Sequence, residues 1–144
     1  MAAKSTTLDG AILDLLLNGV ALAGMFQNNV TNPKTILYVA LHTADPGVAG
    51  NQNTNEVAYT GYARAAVSRT SSFWTIAGGV ASPTATINFP ARSDVGSTVA
   101  TYASIGIASS GAFLILYSGA LTPSITITQG VTPAIAATSS ITEA

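Results

Sequence analysis

The sequence predicts an all-β protein: an antiparallel β-sandwich, of jelly-roll rather than open-barrel type, with one short helix at its N-terminus. Three observations carry this. From Ile36 onward the chain runs as roughly eight or nine short β-rich segments. Turn-forming residues separate them about every 8–12 residues. No helical periodicity intervenes, which excludes a parallel β-α-β architecture, and no fixed-period repeat suggests a propeller or β-helix. At 144 residues the chain is expected to make one structural domain, with residues 1–35 as an N-terminal arm and helix and residues 36–144 as the sandwich.

Each element has its own local reason. Thr6 or Thr7 can cap the helix, and Asp9 suits the positive end of its dipole. Leu8, Ile12, Leu15 and Leu16 fall on one stripe, and Asn18-Gly19 can take the left-handed conformation that stops it. The same stretch competes as a signal peptide, because Lys4 precedes an apolar run and Ala21-Leu22-Ala23 looks like a cleavage site. Asp9 and Asp14 interrupt that run, which is also too short to span a bilayer.

The first strand, residues 36–42, stops at the turn signal Asp45-Pro46-Gly47. Residues 50–55 are too polar to pack and read as a loop. Residues 63–69 alternate, with Arg64 outward and Ala63, Ala65 and Val67 on the other face. Residues 73–76 form a strand closed by Gly78-Gly79. Residues 84–89 alternate until Pro90 ends them, and 92–96 form a loop. Runs at 102–108, 112–117 and 124–128 follow, the last a clean alternation of Ile125 and Ile127 with Thr126 and Thr128. Residues 131–136 and a segment at Ile141 complete the series.

Composition narrows the function classes. Five Lys+Arg and six Asp+Glu make 8% charged residues, where a soluble domain usually has about 25%. Over the roughly 6,900 Å² that a chain of this size exposes, that is one charge per about 630 Å². Hydrophobic residues are an ordinary 48%, so neutral Ser, Thr, Asn and Gly have replaced the charges. A net charge of −1 offers no basic patch for phosphates, which argues against direct nucleic-acid binding and against anionic membranes. A polar, uncharged exterior suits a protein packed among other subunits. Cysteine is absent, so disulfides, thiolate metal sites and a cysteine nucleophile are excluded.

Candidate chemistry is thin. His42 is the single imidazole, and Asp45, three residues on, is its one acid–base companion in sequence. Asp45 precedes Pro46 in a turn, where its carboxylate is better used on backbone amides. A zinc or iron site lacks further ligands. Paired carboxylates for glycoside hydrolysis would come from Asp45, Glu56, Asp94 and Glu143, all in loops or the tail. No nucleophile elbow or phosphate-binding glycine loop is present. Trp74, Tyr59, Tyr62, Phe73, Tyr102 and Tyr117 could line a sugar-binding face, but this many aromatics are also needed to fill a sandwich core. Asn29-Val30-Thr31 matches a glycosylation sequon that matters only in a eukaryotic secretory route.

The segments Leu41-His42-Thr43-Ala44-Asp45-Pro46-Gly47, Thr54-Asn55-Glu56 and Tyr59-Thr60-Gly61-Tyr62-Ala63-Arg64 carry a resemblance that the chemistry does not. Trp74-Thr75, Ile87-Asn88-Phe89-Pro90, Ile105-Gly106-Ile107-Ala108-Ser109-Ser110-Gly111, Leu116-Tyr117-Ser118-Gly119-Ala120-Leu121 and Gly130-Val131-Thr132-Pro133 extend it, and the opening Lys4-Ser5-Thr6-Thr7-Leu8 also fits. Together they resemble, in order and over nearly the whole chain, a family of small structural proteins of tailed bacteriophages. The loop at residues 92–97 departs from it by lacking a glycine-rich run.

The resemblance implies a virion structural protein rather than an enzyme, with no catalytic, cofactor-binding or metal-binding residues and no cofactor. Such proteins carry tail-fibre or virion-protein labels, and small β-sandwiches of this size also serve as capsid cement or decoration proteins. The favoured expectation is a cement protein on the phage head surface, partnered by the major capsid protein and by itself as a homo-oligomer, dimer or trimer. The alternative is a tail or tail-fibre component for host-surface attachment. In the first role the helix could dock its apolar stripe on a neighbour.

Overall fold

The computed structural model describes residues 5–21 and 31–142. The protein is all-β with one short helix and antiparallel sheets, as an all-β sandwich requires. Among the described residues the sheets have four, three and two strands, an order that does not establish the jelly-roll topology. Lys4, Leu22, Ala23, Asn29, Val30 and Glu143 lie outside the described residues. The chain forms two compact units. One comprises residues up to 36, 68–86 and from 136 onward; the other comprises 37–67 and 87–135.

In the first unit, helix α1 (Thr6–Leu13) is capped by Ser5, not Thr6 or Thr7: extended at Ser5, the backbone lets its Oγ accept the Leu8 N–H at 3.3 Å. A π-helical turn, Asp14–Asn18, continues α1 and ends at left-handed Gly19 as expected. The buried line is Asp9, Leu13 and Leu17, spaced by four and so on one face. The expected stripe of Leu8, Ile12, Leu15 and Leu16 lies beside it, exposed or half-buried. Arg69 closes the π turn: its guanidinium donates to the carbonyls of Leu15, Leu16 and Lys34. The Leu15 and Leu16 carbonyls are C-terminal helix carbonyls that have no partner within the helix, and Lys34 lies in the segment before β1.

The helix packs on a hairpin of β3 (Trp74–Ala77) and β4 (Val80–Pro83), numbered in chain order with β1 and β2 below. Gly78 and Gly79 both hold positive φ, 58° and 76°, the condition for the two-residue turn that matches strand twist. β4, beyond this turn, has no counterpart among the strands that the sequence predicts. The short β9 (Ile141–Thr142) pairs with β4, and Trp74 forms the core with Phe73 edge-on at 5.2 Å.

The second unit holds the four-stranded sheet, in the order β2-β1-β6-β7: β1 (Ile36–His42), β2 (Ala65–Ser68), β6 (Ser97–Gly106) and β7 (Ile115–Thr128). Central β1 is buried on both faces. Cross-strand partners share a face, so Tyr38, Ala40 and His42 lie with Gly106, Ser104 and Tyr102, and Val39 and Leu41 lie with Ile105 and Ala103.

The runs expected at 112–117 and 124–128 are two ends of the single strand β7. Ala100 faces Ile125 and Tyr102 faces Ala120, so Leu121, Thr122, Pro123 and Ser124 bulge opposite Thr101 alone. Because β7 is an edge strand, Pro123 costs no ladder hydrogen bond on the inner side of a central strand. The expected strands at 84–89 and 131–136 shrink to β5 (Ile87–Asn88) and β8 (Ala134–Ile135), paired through Ile87 and Ile135.

Candidate functional site

His42 ends β1 with its side chain fully buried. Its Nδ1 lies 2.8 Å from the Thr54 carbonyl and its Nε2 2.7 Å from the Ser104 Oγ. A carbonyl only accepts, so Nδ1 carries the proton and Nε2 accepts from the Ser104 hydroxyl. Burial holds the imidazole below its usual pKa, and Arg64 adds to that; the Thr54 hydrogen bond and the Glu56 charge oppose it. His42 is thus a neutral strut between β1, β6 and the loop at residues 50–57. Asp45 does not join it: its Oδ1 accepts the Gly47 N–H at 2.8 Å, closing the turn as the sequence suggested.

Glu56 and Asp94 are likewise engaged. Glu56 meets Arg64 with both oxygens, at 2.7 and 2.8 Å, and accepts the Tyr62 hydroxyl at 3.0 Å. Asp94 meets Arg92 Nη2 at 2.7 Å and accepts the Thr60 N–H at 2.9 Å; the Arg92 hydrogen bond holds its carboxyl below the ordinary range. Among the described residues no group of three His, Cys, Asp or Glu could hold a metal ion, and no helix is long and apolar enough to cross a membrane.

Trp74 is core, and Tyr59 donates to the Pro90 carbonyl at 2.8 Å and meets Tyr62 edge-on at 5.3 Å. Tyr62 accepts the Leu41 N–H, and burial raises its hydroxyl pKa. Tyr102 and Tyr117 lie half-buried on β6 and β7.

The arrangement that does converge is built on Arg64, expected outward and found buried. Its guanidinium donates to Glu56, to Asn53 Oδ1 at 2.8 Å, and to the carbonyls of Ala108 and Gly111 at 2.9 Å each. One side chain therefore ties the 50–57 loop to the β6–β7 connection. Alternation places Arg64 outward only if nothing covers that face; here the polar loop folds over it and supplies the carboxylate.

Gln52, in a loop that the sequence predicts to be too polar to pack, completes the tie. Its backbone N–H donates to the Phe113 carbonyl at 2.9 Å, and its Oε1 accepts the Ala108 N–H at 3.1 Å. Its side chain lies flat on Gly106, where an added Cβ would stand 2.2 Å from the Gln52 Cδ. A residue as polar as Gln is rarely fully buried; the signal that could have found it is Gly106 inside a strand, which marks close approach of another group.

The loop at 92–97 is fixed in a related way. Arg92 donates to Thr98 Oγ1 at 3.0 Å besides Asp94, and its carbonyl accepts the Gly130 N–H at 2.8 Å. The loop lacks the glycine-rich run that the resemblance leads one to expect, and the hydrogen bonds of Arg92 fix it instead.

These tied loops present both polar and apolar groups to solvent: Asn53, Asn55, Ser109 and Ser110, together with Phe113 and Leu114 at 53% and 60% exposure just before β7, and Val48 at the preceding turn is exposed as well. Along β7 itself only Ile127 is buried. The arrangement can hold a surface in place and bury it against a partner; it brings no acid, base and nucleophile together. A family model described as podophage GP4 fiber I protein gp80 matches residues 3–142. No curated protein matches the chain.

Proposed function

The chain belongs to the family described as podophage GP4 fiber I protein gp80, a family of tailed-phage virion structural proteins, and we propose that it is a fibre subunit on the phage tail. The observation that carries this reading is the match over residues 3–142, which leaves out two residues at each end. The geometry supports it: loops cross-tied by Arg64 and Gln52 hold the exposed side chains of Phe113 and Leu114 in place, so docking costs little ordering entropy. The role is structural and non-catalytic, the subunit assembles with copies of itself, and the fibre serves host-surface attachment.

The family description favours the tail over the head-cement role that compact length suggested. Cementing, with the major capsid protein as partner, is the second reading, kept by the absence of the long repeats usual in fibre shafts. Gold-labelled antibody on intact virions separates the two. Label confined to the tail, at few copies per particle, is expected; hundreds of copies spread over the head would replace the fibre reading with the cement one. Fab fragments that bind the chain should also slow adsorption to host cells.

A further inference from the structure

Phe113, just before β7, is 53% exposed and yet firmly braced. Its ring lies against Gly111, where an added Cβ would stand 3.1 Å from the ring's Cε2 and 3.3 Å from its Cδ2. Gly111 is itself fixed. Its carbonyl accepts from the buried Arg64 Nη2 at 2.9 Å and from the Phe113 N–H at 3.0 Å. The Phe113 carbonyl accepts the Gln52 N–H at 2.9 Å. The ring is therefore a held platform, supported from beneath by Gly111 and open to solvent elsewhere.

A polar donor is set close by. Arg64 Nη2 also donates to Asn53 Oδ1, at 2.8 Å, so the Asn53 amide and the Gly111 carbonyl meet on one nitrogen. Arginine only donates, which fixes the amide with its oxygen toward Arg64. The Asn53 Nδ2 is left with no hydrogen-bond partner among the described residues, on an exposed side chain. Ser109 and Ser110 add exposed hydroxyls to the loop that carries Phe113. That loop is uncharged: residues 95–142 contain no Asp, Glu, Lys, Arg or His, and Arg64 is neutralised by Glu56.

We propose that Phe113 and Asn53 form a saccharide-binding site for an uncharged pyranose unit of the host's surface polysaccharide, its C–H face stacked on the ring and a ring hydroxyl accepting from the Asn53 amide. The proposal deepens the host-attachment role stated under Proposed function and rests on it. The chemistry selects the ligand. An aromatic face carries the negative part of the ring quadrupole and attracts polarised C–H groups, which a pyranose presents beside its hydroxyls. A charged sugar would find no counter-ion here, and its desolvation would go uncompensated. A few placed polar groups around an apolar contact is the usual composition of a small-ligand site. Ring and amide are held before the ligand arrives, so little ordering is lost on binding. Repeated units on a polysaccharide and several copies of the chain on one particle then strengthen a weak single contact by avidity.

The test is NMR of the isotope-labelled full chain, titrated with methyl glycosides of neutral hexoses, deoxyhexoses and N-acetylhexosamines, and with the neutral and anionic fractions of polysaccharide extracted from host cells. A neutral glycoside and the neutral fraction should shift the Phe113 ring and Asn53 side-chain amide signals, and the ring current should move the sugar's own protons upfield. Phe113→Leu keeps an apolar side chain without the aromatic face and should weaken binding about tenfold; Phe113→Trp should retain it. Asn53→Asp keeps the acceptor for Arg64 but removes the donor, and should weaken binding independently, so it serves if Phe113→Leu fails to fold. The site is wrong if no neutral sugar shifts Phe113, if only the anionic fraction binds, or if Phe113→Leu binds as tightly as the wild type. Loss of self-association in Phe113→Leu with saccharide binding unchanged would assign the ring to a protein contact and likewise overturn the site. Tail location is decided separately by the labelling of virions.

Discussion

Replacing Arg64 by alanine tests whether its guanidinium holds the two loops together. Five hydrogen bonds are lost: two to Glu56 and one each to Asn53, Ala108 and Gly111. The Arg64 side chain is 2% exposed and that of Glu56 16%, so removing the cation strands a carboxylate that water reaches poorly. Breaking one partner out of a buried pair costs about 3–5 kcal/mol. The orphaned carbonyls would add about 1 kcal/mol or more each if they stayed dry, but the cavity left by the side chain admits water, so the lower range applies. A loss of about 4 kcal/mol is expected, a drop in Tm on the order of 10 °C for a chain of this length. Denaturant unfolding gives the global figure, and amide hydrogen exchange localises it. The N–H groups of Gln52 and Ala108, bonded across the two loops, should lose protection before those of β1. In a double-mutant cycle with Glu56→Gln, coupling of about 2 kcal/mol is expected. A loss below about 1 kcal/mol, or unchanged exchange at Gln52 and Ala108, would show that the loops hold without the arginine.

Gly106→Ala drives a Cβ to 2.2 Å from the Gln52 Cδ; because Gln52 is fully buried, a loss of about 2–3 kcal/mol is expected in urea melts, with Gln52→Ala partly relieving it. Arg69→Ala frees the Leu15, Leu16 and Lys34 carbonyls and should cost about 1–3 kcal/mol, read as faster amide exchange in Asp14–Asn18. His42 gives a pH dependence of definite sign. Its folded pKa lies below 6.5, so near that pH the unfolded chain binds the proton first and stability falls as pH drops through the folded value. Melts at pH 7.5 and 5 should show the acid sample less stable, and His42→Gln should flatten that difference.

The parts of the fold read correctly are those that depend on local chemistry. The β1 run, the Asp45-Pro46-Gly47 turn, the Gly78-Gly79 hairpin turn and the Gly19 helix stop each follow from residues a few positions apart. The errors share a different cause. β7 was split because Pro123 reads as a break unless the strand is known to lie at an edge. The helix stripe was misplaced by one position because Leu13 and Leu17 compete with four equally apolar neighbours. Arg64 was turned outward because alternation cannot see a loop folding over the face.

In a chain with five cations, their placement is more telling than their number. Arg64 is committed to Glu56 and three loop acceptors, Arg92 to Asp94 and Thr98, and Arg69 to main-chain carbonyls. All three arginines are therefore internal ties, and Glu56 and Asp94 are neutralised by them. The exterior is consequently even poorer in unpaired charge than the 8% composition implies. Ordinary proteins of this size stay apart by surface charge. One whose charges are spent inside keeps little repulsion between copies, so crowding it on a particle favours contact. Increasing the salt concentration should then change its self-association little, because there are few surface charges to screen. Sedimentation at 50 mM and 500 mM NaCl measures this, and a shift in the association constant beyond about threefold would mean that surface charge governs assembly.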